Sequence, residues 1–413
     1  MDFGYTQDQE ELRQEVRAFI DGNVGQGLLD EMEGGEEGGR GPEYRELVKK
    51  VADKGWIGIS WPKEYGGQSG SRIDQYIVEE EFMRGGIAVG GAGSGAPAIL
   101  AAGTEEQKEY FIPGMIRGEI IFALGFTEPQ AGADLAGLQC RAVRDGDDFV
   151  INGQKMYTSA AHYASHIYMM CRTDPDAPRH RGITIFLVPM DTPGIEVRPL
   201  KTMTGHAEFN EVFFTDVRVP MHQIVGQRGQ GWFVANATLG HERGMLGDPD
   251  ALENRLEALI ALMQEERLGQ GRAIDNPVLR DRLVALQAEV AAMKYNGMRI
   301  LSNSLRGEPG GMAKLIVKLQ SCELAHQISA LAIDAMGELG ILYHHSPRER
   351  EGGAWQWNYM FQLGLIIGGG TAQIQKNIIA ERGLEMPREP KLAKISDAAK
   401  ATADMPRHKQ GSA

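Results

Sequence analysis

The stretch at residues 122–160 combines residue types that can hold a flat ligand. An apolar run ends there in the turn Thr127-Glu128-Pro129, and Gly132 follows. Pro129 fixes its own φ angle and lacks an N–H, while Gly132 lets another group approach the backbone closely. The turn therefore predicts a rigid strand end with backbone N–H groups available to a ligand.

The second half of this stretch is rich in β-forming residues. The apolar run at 149–151 meets Asn152-Gly153, a dipeptide favoured in two-residue turns, so a β-hairpin is predicted there. The ring of Tyr157 and the hydroxyl of Ser159 come next. Together with the hydroxyl of Thr127, these groups are suited to bind a planar heterocycle.

The spacing of these residues resembles the flavin-binding signature of the acyl-CoA dehydrogenase family. The first half of the signature, Thr-Glu-Pro-x-Ala-Gly-x-Asp, stands at 127–134. The second half, Lys-x-Trp/Tyr-Thr/Ile-Ser/Thr, stands at 155–159. The likeness extends from Thr6 to about Pro387. It implies FAD as cofactor, an acyl-CoA thioester as substrate, an electron-transfer flavoprotein as electron acceptor, and a tetramer.

Length and charge are consistent with a large soluble protein. The 413 residues are enough for two or three domains, and 42% hydrophobic with 24% charged residues is ordinary for a globular chain. The net charge of −13 argues against a nucleic-acid groove. A polyanionic ligand is still compatible with it, because a local cationic pocket is enough to bind one.

The cysteines and the apolar segments indicate the compartment. The cysteines Cys140, Cys171 and Cys322 are isolated and have no metal-ligand spacing, which is typical of a reducing environment. The first residues are polar and acidic, unlike a signal peptide, and no apolar run is long enough to span a membrane. We therefore expect a cytoplasmic protein with no membrane or nucleic-acid partner.

Hydropathy patterns divide the chain into three parts, giving an α+β protein. An N-terminal helical domain is expected at 1–119, where the capping boxes Thr6–Gln9 and Thr104–Gln107 each predict a helix start. A central antiparallel β-domain is expected at 120–228. A C-terminal four-helix bundle is expected at 229–390, followed by a disordered tail at 391–413. The bundle helices are predicted at 232–266, 279–305, 312–337 and 371–383. This order matches the acyl-CoA dehydrogenase fold.

The implied reaction needs a carboxylate that removes the α-proton of the thioester while hydride leaves the β-carbon for flavin N5. Burial in an apolar pocket raises the pKa of such a base towards working pH. Many family members carry it as the Glu of a Glu-Gly-Thr sequence, but Gly369 stands there in this chain. Isovaleryl- and long-chain-type relatives use a Glu before an Arg on an earlier helix, and Glu242-Arg243 matches them. We expect Glu242 to be the base, steadied by Arg243. The alternative for Glu242 is a structural ion pair.

The loss of a side chain at position 369 leaves room in the substrate pocket. We expect a branched or bulky acyl group there, such as a steroid side chain. Ala133 stands where a Ser commonly touches the substrate. The expected substrate contacts are therefore Ala133, Arg243 and Gly369.

The cofactor contacts follow from the same resemblance. Residues 369–373 enter a helix, whose free N–H groups and positive end favour phosphate or ribose. In the family, an Arg on a neighbouring subunit usually contacts the pyrophosphate of FAD. Arg267 and Arg272 are the candidates for this Arg. The expected FAD contacts are Phe126, Thr127, Tyr157, Thr158, Ser159, Arg267, Arg272, Gly369, Gly370, Thr371 and Gln373.

Two other functions stay open at this point. The chain could be a non-catalytic or half-site subunit in a heterotetramer of two related chains, since Met360-Phe361 replaces an Arg-Asp pair and reduces the expected cofactor contacts. The alternative assembly is a homotetramer. A flavin monooxygenase or oxidase on the same scaffold is the other possibility. The retained Glu242 argues against it, because such oxygenation needs no carboxylate there.

Overall fold

The computed structural model describes residues 5–34, 41–85, 87, 89, 95–245, 249–308, 311–344 and 346–388. Helices come first along the chain, a β-sheet follows, and helices return after it. The predicted tail at 391–413 lies outside the described residues. The helices that precede the sheet are α1 (Gln7–Asn23), α2 (Gln26–Gly34), α3 (Pro42–Asp53), α4 (Arg72–Arg84), α5 (Ala96–Ala102) and α6 (Glu105–Ile116).

Two of these helices begin at the predicted capping boxes. The Thr6 hydroxyl accepts from the Gln9 N–H, and the Gln9 side chain accepts from the Thr6 N–H in return. Thr104 and Gln107 form the same reciprocal pair at the start of α6. The buried Gln107 side chain also donates to a backbone carbonyl at Ile224, 2.8 Å away. This contact fixes α6 against the sheet.

The central sheet lies between two apolar cores. Its order is β6-β7-β3-β2-β4-β5-β8, and β1 lies beside β4. The pairs β1–β4 and β2–β4 are parallel, and the other pairs are antiparallel. One face packs on the N-terminal helices, and the opposite face has its own core. The strands are β1 (Phe122–Gly125), β2 (Arg141–Asp145), β3 (Asp148–Ser159), β4 (His166–Arg172), β5 (Ile183–Pro189), β6 (Ile195–Leu200), β7 (Phe209–Pro220) and β8 (Ile224–Val225).

The predicted hairpin turn at Asn152-Gly153 is wrong. Strand β3 runs through this dipeptide, and the turn lies earlier, where Asp145 of β2 pairs with Asp148 of β3. Gly153 instead occupies a register shift between β3 and β7, with φ +150°. The long partner strand β7 continues on both sides of the dipeptide, and its pairing overrides the local turn preference.

We expect Gly153→Ala to lower the free energy of unfolding by roughly 2–4 kcal/mol, because strain and overpacking act together. An added Cβ would lie 2.7 Å from the Cys140 Cα, and φ +150° disfavours any side chain. Gly146→Ala is the matched control, since φ is +66° there but the space is open. Gly146→Ala should lower the free energy of unfolding by only about 1 kcal/mol. Equal denaturant midpoints for the two variants would contradict the assigned close contact.

His166 makes the stability of the fold depend on pH. The ring is 9% exposed and packs 5.3 Å from the Phe111 ring centroid. Burial lowers the pKa of His166 from its usual 6.5, and the charge of Asp191 only partly opposes this. The unfolded chain therefore binds the proton more readily, so stability is lost as the pH falls through about 6.5. We expect His166→Phe to lose less unfolding free energy than wild type between about pH 7 and about pH 5. Equal losses in urea titrations would contradict this.

The helices after the sheet form the predicted bundle with different bounds. They are α7 (Gly231–Met245), α8 (Pro249–Glu265), α9 (Pro277–Leu305), α10 (Gly311–Met336), α11 (Ala354–Ile367) and α12 (Ala372–Ile378). Helix α10 packs against α8, α9 and α11. No helix among the described residues has both the length and the apolar character needed to cross a bilayer.

Two of the predicted bundle helices differ from the observed ones. The segment predicted as one helix at 232–266 contains α7 and α8, and Pro249 opens α8 at a position where proline is favoured. The long helix beside α10 is α11, whereas residues 371–383 form the short α12 and a π-helical turn. Helix α11 is apolar on most sides, so it lacks the amphipathic period that marks a helix in sequence.

Candidate functional site

The structure brings together the two segments that the sequence singled out. The backbone N–H of Met156, in β3, donates to the Thr127 carbonyl, which lies just beyond β1, at 2.8 Å. Phe126 is buried, and its ring packs 5.6 Å from that of Tyr168 on β4. The end of β1 and the last part of β3 therefore lie side by side.

Strand β3 is distorted where it presents its aromatic ring. Its register against β7 shifts between Lys155 and Thr158, and Tyr157 in this bulge has φ +55°. A positive φ is costly for a bulky residue and is found mostly where function requires it. The Tyr157 ring is 59% exposed and meets the Phe209 ring edge-on at 6.4 Å. Ser159 is exposed beside it, so a flat ligand can reach both residues.

A buried ion pair joins the two halves of this site. The Lys155 amine lies 2.8 Å from the Glu128 carboxylate, and both side chains are at most 1% exposed. Lys155 also donates to the Phe126 carbonyl, and Glu128 accepts from the backbone N–H groups of Gln139 and Cys140. The pair ties the turn after β1 to the bulge in β3. Both residues belong to the signature at 127–134 and 155–159, but their spacing in the sequence does not reveal that they pair.

Thr158 is turned away from this opening. Its side chain is fully buried, and its carbonyl accepts from Asn210 Nδ2 at 3.0 Å. Only the backbone of Thr158 is therefore placed to meet a ligand that lies on Tyr157.

The glycine turn between α11 and α12 is held by a buried lysine. Gly369 and Gly370 have φ +64° and +101°. Lys318, 2% exposed, donates to the carbonyls of Ile366 and Gly370 at 2.8 Å each. Thr371 caps α12 with its hydroxyl, which accepts from a backbone N–H at 3.3 Å. The turn is rigid, and a side chain at position 369 would be strained.

A row of aromatic rings connects the sheet to the helix before this turn. Phe361 of α11 stacks on Phe209 of β7 at 6.4 Å, and Trp357 stacks on Phe361 at 4.5 Å. Phe209 in turn meets Tyr157, so the row ends at the exposed ring in the bulge. Phe361 thus makes an apolar contact at the position where, by the family resemblance, an Arg-Asp pair is replaced by Met360-Phe361.

Helix α7 also reaches the strand ends. The Thr238 hydroxyl lies 3.4 Å from the Tyr168 hydroxyl, and the Tyr168 ring packs on Phe126. Burial raises the pKa of Tyr168 far above its usual range, so it keeps its proton. Glu242 and Arg243 belong to the last turn of α7, but their side chains lie outside the described residues.

The remaining predicted contacts are on the surface of the chain. Arg267 lies on the short strand β9 (Arg267–Leu268), and Arg272 lies on its partner β10 (Gly271–Arg272). Arg267 is exposed, whereas the Arg272 guanidinium bonds the Asp275 carboxylate at 2.9 and 3.1 Å. Ala133 and Gln373 are exposed as well. Among the described residues, no cluster of metal-ligating side chains occurs.

Comparisons with known proteins match nearly the whole chain. Residues 6–119, 123–217 and 229–384 match the N-terminal, middle and C-terminal domains of acyl-CoA dehydrogenase. Acyl-CoA dehydrogenase FadE26 of Mycobacterium tuberculosis is 34% identical, over 94% of this chain and 99% of that protein. Acyl-CoA dehydrogenase IpdE1 of the same organism is also 34% identical, over 93% of this chain and 100% of its own.

Solved structures agree with these matches. The Tcur3481-Tcur3483 steroid ACAD superimposes with a TM-score of 0.84 at 34% identity, covering 94% of this chain and 100% of that one. A chain of the ChsE4-ChsE5 complex from Mycobacterium tuberculosis gives 0.83 at 34% identity, with the same coverage. The three-part fold predicted from the sequence is thereby confirmed. The chain belongs to the acyl-CoA dehydrogenase family of oxidoreductases.

Proposed function

We propose that this chain carries out the FAD-dependent α,β-dehydrogenation of a bulky or branched acyl-CoA thioester. The observation that supports this most strongly is the hydrogen bond between Met156 and Thr127, because it holds the two halves of the flavin signature next to each other. The exposed ring of Tyr157 and the exposed Ser159 beside it fit a flat cofactor.

The residues that would hold FAD fall into two groups. The strand ends supply Phe126, Thr127, Tyr157, Ser159 and the backbone of Thr158. The glycine turn supplies Gly369, Gly370, Thr371 and Gln373. The exposed β9–β10 hairpin supplies Arg267 and Arg272, which would contact the FAD of a neighbouring subunit. Bound FAD supplies the acceptor for the hydride that leaves the β-carbon.

Glu242 is the proposed base. The position that carries the base in many relatives is Gly369, whose φ of +64° suits glycine and disfavours a glutamate. Helix α7 packs against β5, and Thr238 on it connects through Tyr168 to Phe126. Glu242 stands four residues after Thr238 in α7, and positions four apart share one face of a helix. In this role Glu242 takes the α-proton, and Arg243 stabilises the ionised form beforehand.

A steroid side chain is the proposed acyl group. Position 369 carries no side chain, and Ala133 is small and exposed. Relatives of this chain at 34% identity include a structure described as a steroid ACAD. Arg243, Ala133 and Gly369 are the proposed substrate contacts, and an electron-transfer flavoprotein is the proposed oxidant.

The second candidate is a half-site subunit that needs a related partner chain. Both similar structures are named as pairs of proteins, Tcur3481-Tcur3483 and ChsE4-ChsE5. Phe361 stacks on Phe209 and offers no charge to a cofactor. A heterotetramer would let the partner complete the cofactor site, whereas a homotetramer would use two copies of this chain.

Expression of the full chain alone distinguishes the two candidates. The proposal predicts one FAD per chain, and bleaching of its visible absorption when a steroid-side-chain acyl-CoA is added without oxygen. Straight short-chain acyl-CoA should bleach it more slowly. Failure to retain FAD, or acyl-CoA binding without bleaching, would favour the half-site subunit. Faster turnover of short straight chains would refute the proposed acyl group.

A further inference from the structure

The strand that carries Tyr157 has a polar and buried reverse side. Thr158 pairs with Asn210 across β3 and β7, and Ser159 pairs with Phe209. Neighbouring residues of a strand face opposite ways, so Thr158 and Asn210 lie behind the face that Ser159 and Phe209 present. The side chains of Thr158 and Asn210 are fully buried there.

A short chain of hydrogen bonds lies on this reverse side. Asn210 Nδ2 is 3.0 Å from the Thr158 carbonyl oxygen and 3.1 Å from His162 Nδ1. A carbonyl oxygen only accepts, so the amide group that faces it must be the NH₂. The same NH₂ faces His162 Nδ1, which must therefore be the unprotonated ring nitrogen. In this arrangement the ring N–H is on Nε2.

Four buried polar atoms at this place have no partner among the described protein groups. They are Thr158 Oγ1, His162 Nε2, Glu208 Oε2 and Asn210 Oδ1, and we call their residues the polar cluster. Glu208 stands two residues before Asn210, and its carbonyl accepts from the backbone N–H of Ala160, close to His162. A buried polar atom without a partner is costly, so four in one place point to a bound species.

The chemistry of the polar cluster selects the bound species. His162 Nε2 is a donor, Glu208 and Asn210 offer acceptor oxygens, and the Thr158 hydroxyl serves in either role. An anion would face the Glu208 carboxylate, and no set of three or more His, Cys, Asp or Glu side chains that could hold a metal ion occurs among the described residues. Water both donates and accepts, and buried water typically makes about three hydrogen bonds. Water therefore fits the polar cluster.

The Glu208 end of the cluster lies towards the loop before α11. Burial, together with the nearby Glu208 carboxylate, raises the pKa of Tyr343. Tyr343 stays protonated and donates to the Thr204 carbonyl at 2.7 Å. This contact joins the loop before α11 to the turn that precedes β7.

We propose that the polar cluster encloses ordered water that links His162, Glu208 and Asn210, and that Asn210, bonded directly to His162, holds the Thr158 carbonyl and so positions Tyr157 and Ser159. The positioning of a cofactor by this segment rests on the proposed function. The presence of water and the orientation of Asn210 are inferred independently of that function. These residues are positioning residues, because they act on the ligand face from behind the strand.

The water is tested on the unaltered full chain. A crystal structure at high resolution should show a water within about 3.3 Å of His162 Nε2 and of Glu208 or Asn210. A cluster without water, or direct protein partners for these four atoms, would overturn the proposal. This measurement needs neither bound FAD nor activity.

The positioning is tested with paired variants. His162→Leu removes the acceptor for Asn210, whereas His162→Asn keeps a side-chain oxygen near the place of Nδ1. Hydrogen exchange in the peptide at 156–163 should become at least about fivefold faster in His162→Leu, as expected for one lost hydrogen bond, and stay slow in His162→Asn. Arg141→Ala, at an exposed position on the neighbouring strand β2, is the control and should not alter this peptide.

Retention of FAD gives a second measurement. His162→Leu should weaken it about fivefold through the same hydrogen bond. Unchanged exchange in His162→Leu, or equal exchange in both His162 variants, would overturn the positioning role. A chain that shows the exchange pattern but binds no FAD would refute the proposed function while leaving the polar cluster as inferred.

Discussion

Lys155→Met is expected to lower the free energy of unfolding by about 3–5 kcal/mol, the cost of breaking one side of a buried ion pair. The variant leaves the Glu128 carboxylate buried with only neutral partners. It also removes the bond from the Lys155 amine to the Phe126 carbonyl, so the strand end should loosen. Urea unfolding of the full chain measures the first effect, and retention of FAD measures the second.

Two controls separate this effect from the loss of any lysine. Lys54 pairs with Glu15 at 2.9 Å, but both side chains are about half exposed. Lys54→Met should therefore cost no more than about 1 kcal/mol. The double variant Lys155→Met/Glu128→Gln should be more stable than Lys155→Met alone, because no unpaired charge is left. Equal costs for Lys155→Met and Lys54→Met would show that the pair is not buried.

Glu242→Gln is expected to slow the reduction of bound FAD by acyl-CoA by about a thousandfold, within the range known for removal of a general base. Glutamine has nearly the same shape but cannot accept the α-proton. The visible spectrum of the bound FAD should stay unchanged, because the proposed role of Glu242 is towards the substrate. Rapid mixing without oxygen, followed by flavin absorbance, measures the rate.

Glu253→Gln is the matched control for this variant. Glu253 lies on the next helix, α8, and pairs with the Lys294 amine at 2.7 Å. Its removal should leave the rate of flavin reduction unchanged. If Glu242→Gln reduces its flavin as fast as wild type does, Glu242 is the structural ion-pair residue that the sequence left as an alternative.

The features that depend on short segments were predictable from the sequence. The helix starts at Thr6 and Thr104 follow from side chains that reach only three residues along the chain. The signature residues at 127–134 and 155–159 indicated the family, and the structure brings them together. In these cases a pattern within a few residues is enough to predict the structural feature.

The features that depend on distant pairing were not predictable in the same way. Asn152-Gly153 looks like a turn until the twelve-residue strand β7 is placed beside it. The polar cluster joins Thr158 to Asn210, and Lys318 holds a turn that lies near residue 369. Neither set of residues is adjacent in sequence, and nothing in their spacing reveals the contact.

The proposed relocation of the base agrees with the backbone conformation at position 369. The sequence showed only that Gly369 lacks a carboxylate. The structure adds that its φ of +64° disfavours any side chain there. A transplanted glutamate at 369 would therefore be a strained variant, and removal of the carboxylate at 242 is the cleaner test.

The central claim is that this chain removes a proton from Cα and a hydride from Cβ of an acyl-CoA thioester. Single-turnover reduction of bound FAD by steroid-side-chain acyl-CoA, deuterated at Cα or at Cβ, tests it most directly. Deuterium at either carbon should slow the bleaching, and the product should be the 2-enoyl-CoA, which has lost one hydrogen from Cα and one from Cβ. Bleaching that is insensitive to deuterium at Cα, or a product that keeps both Cα hydrogens, would contradict it.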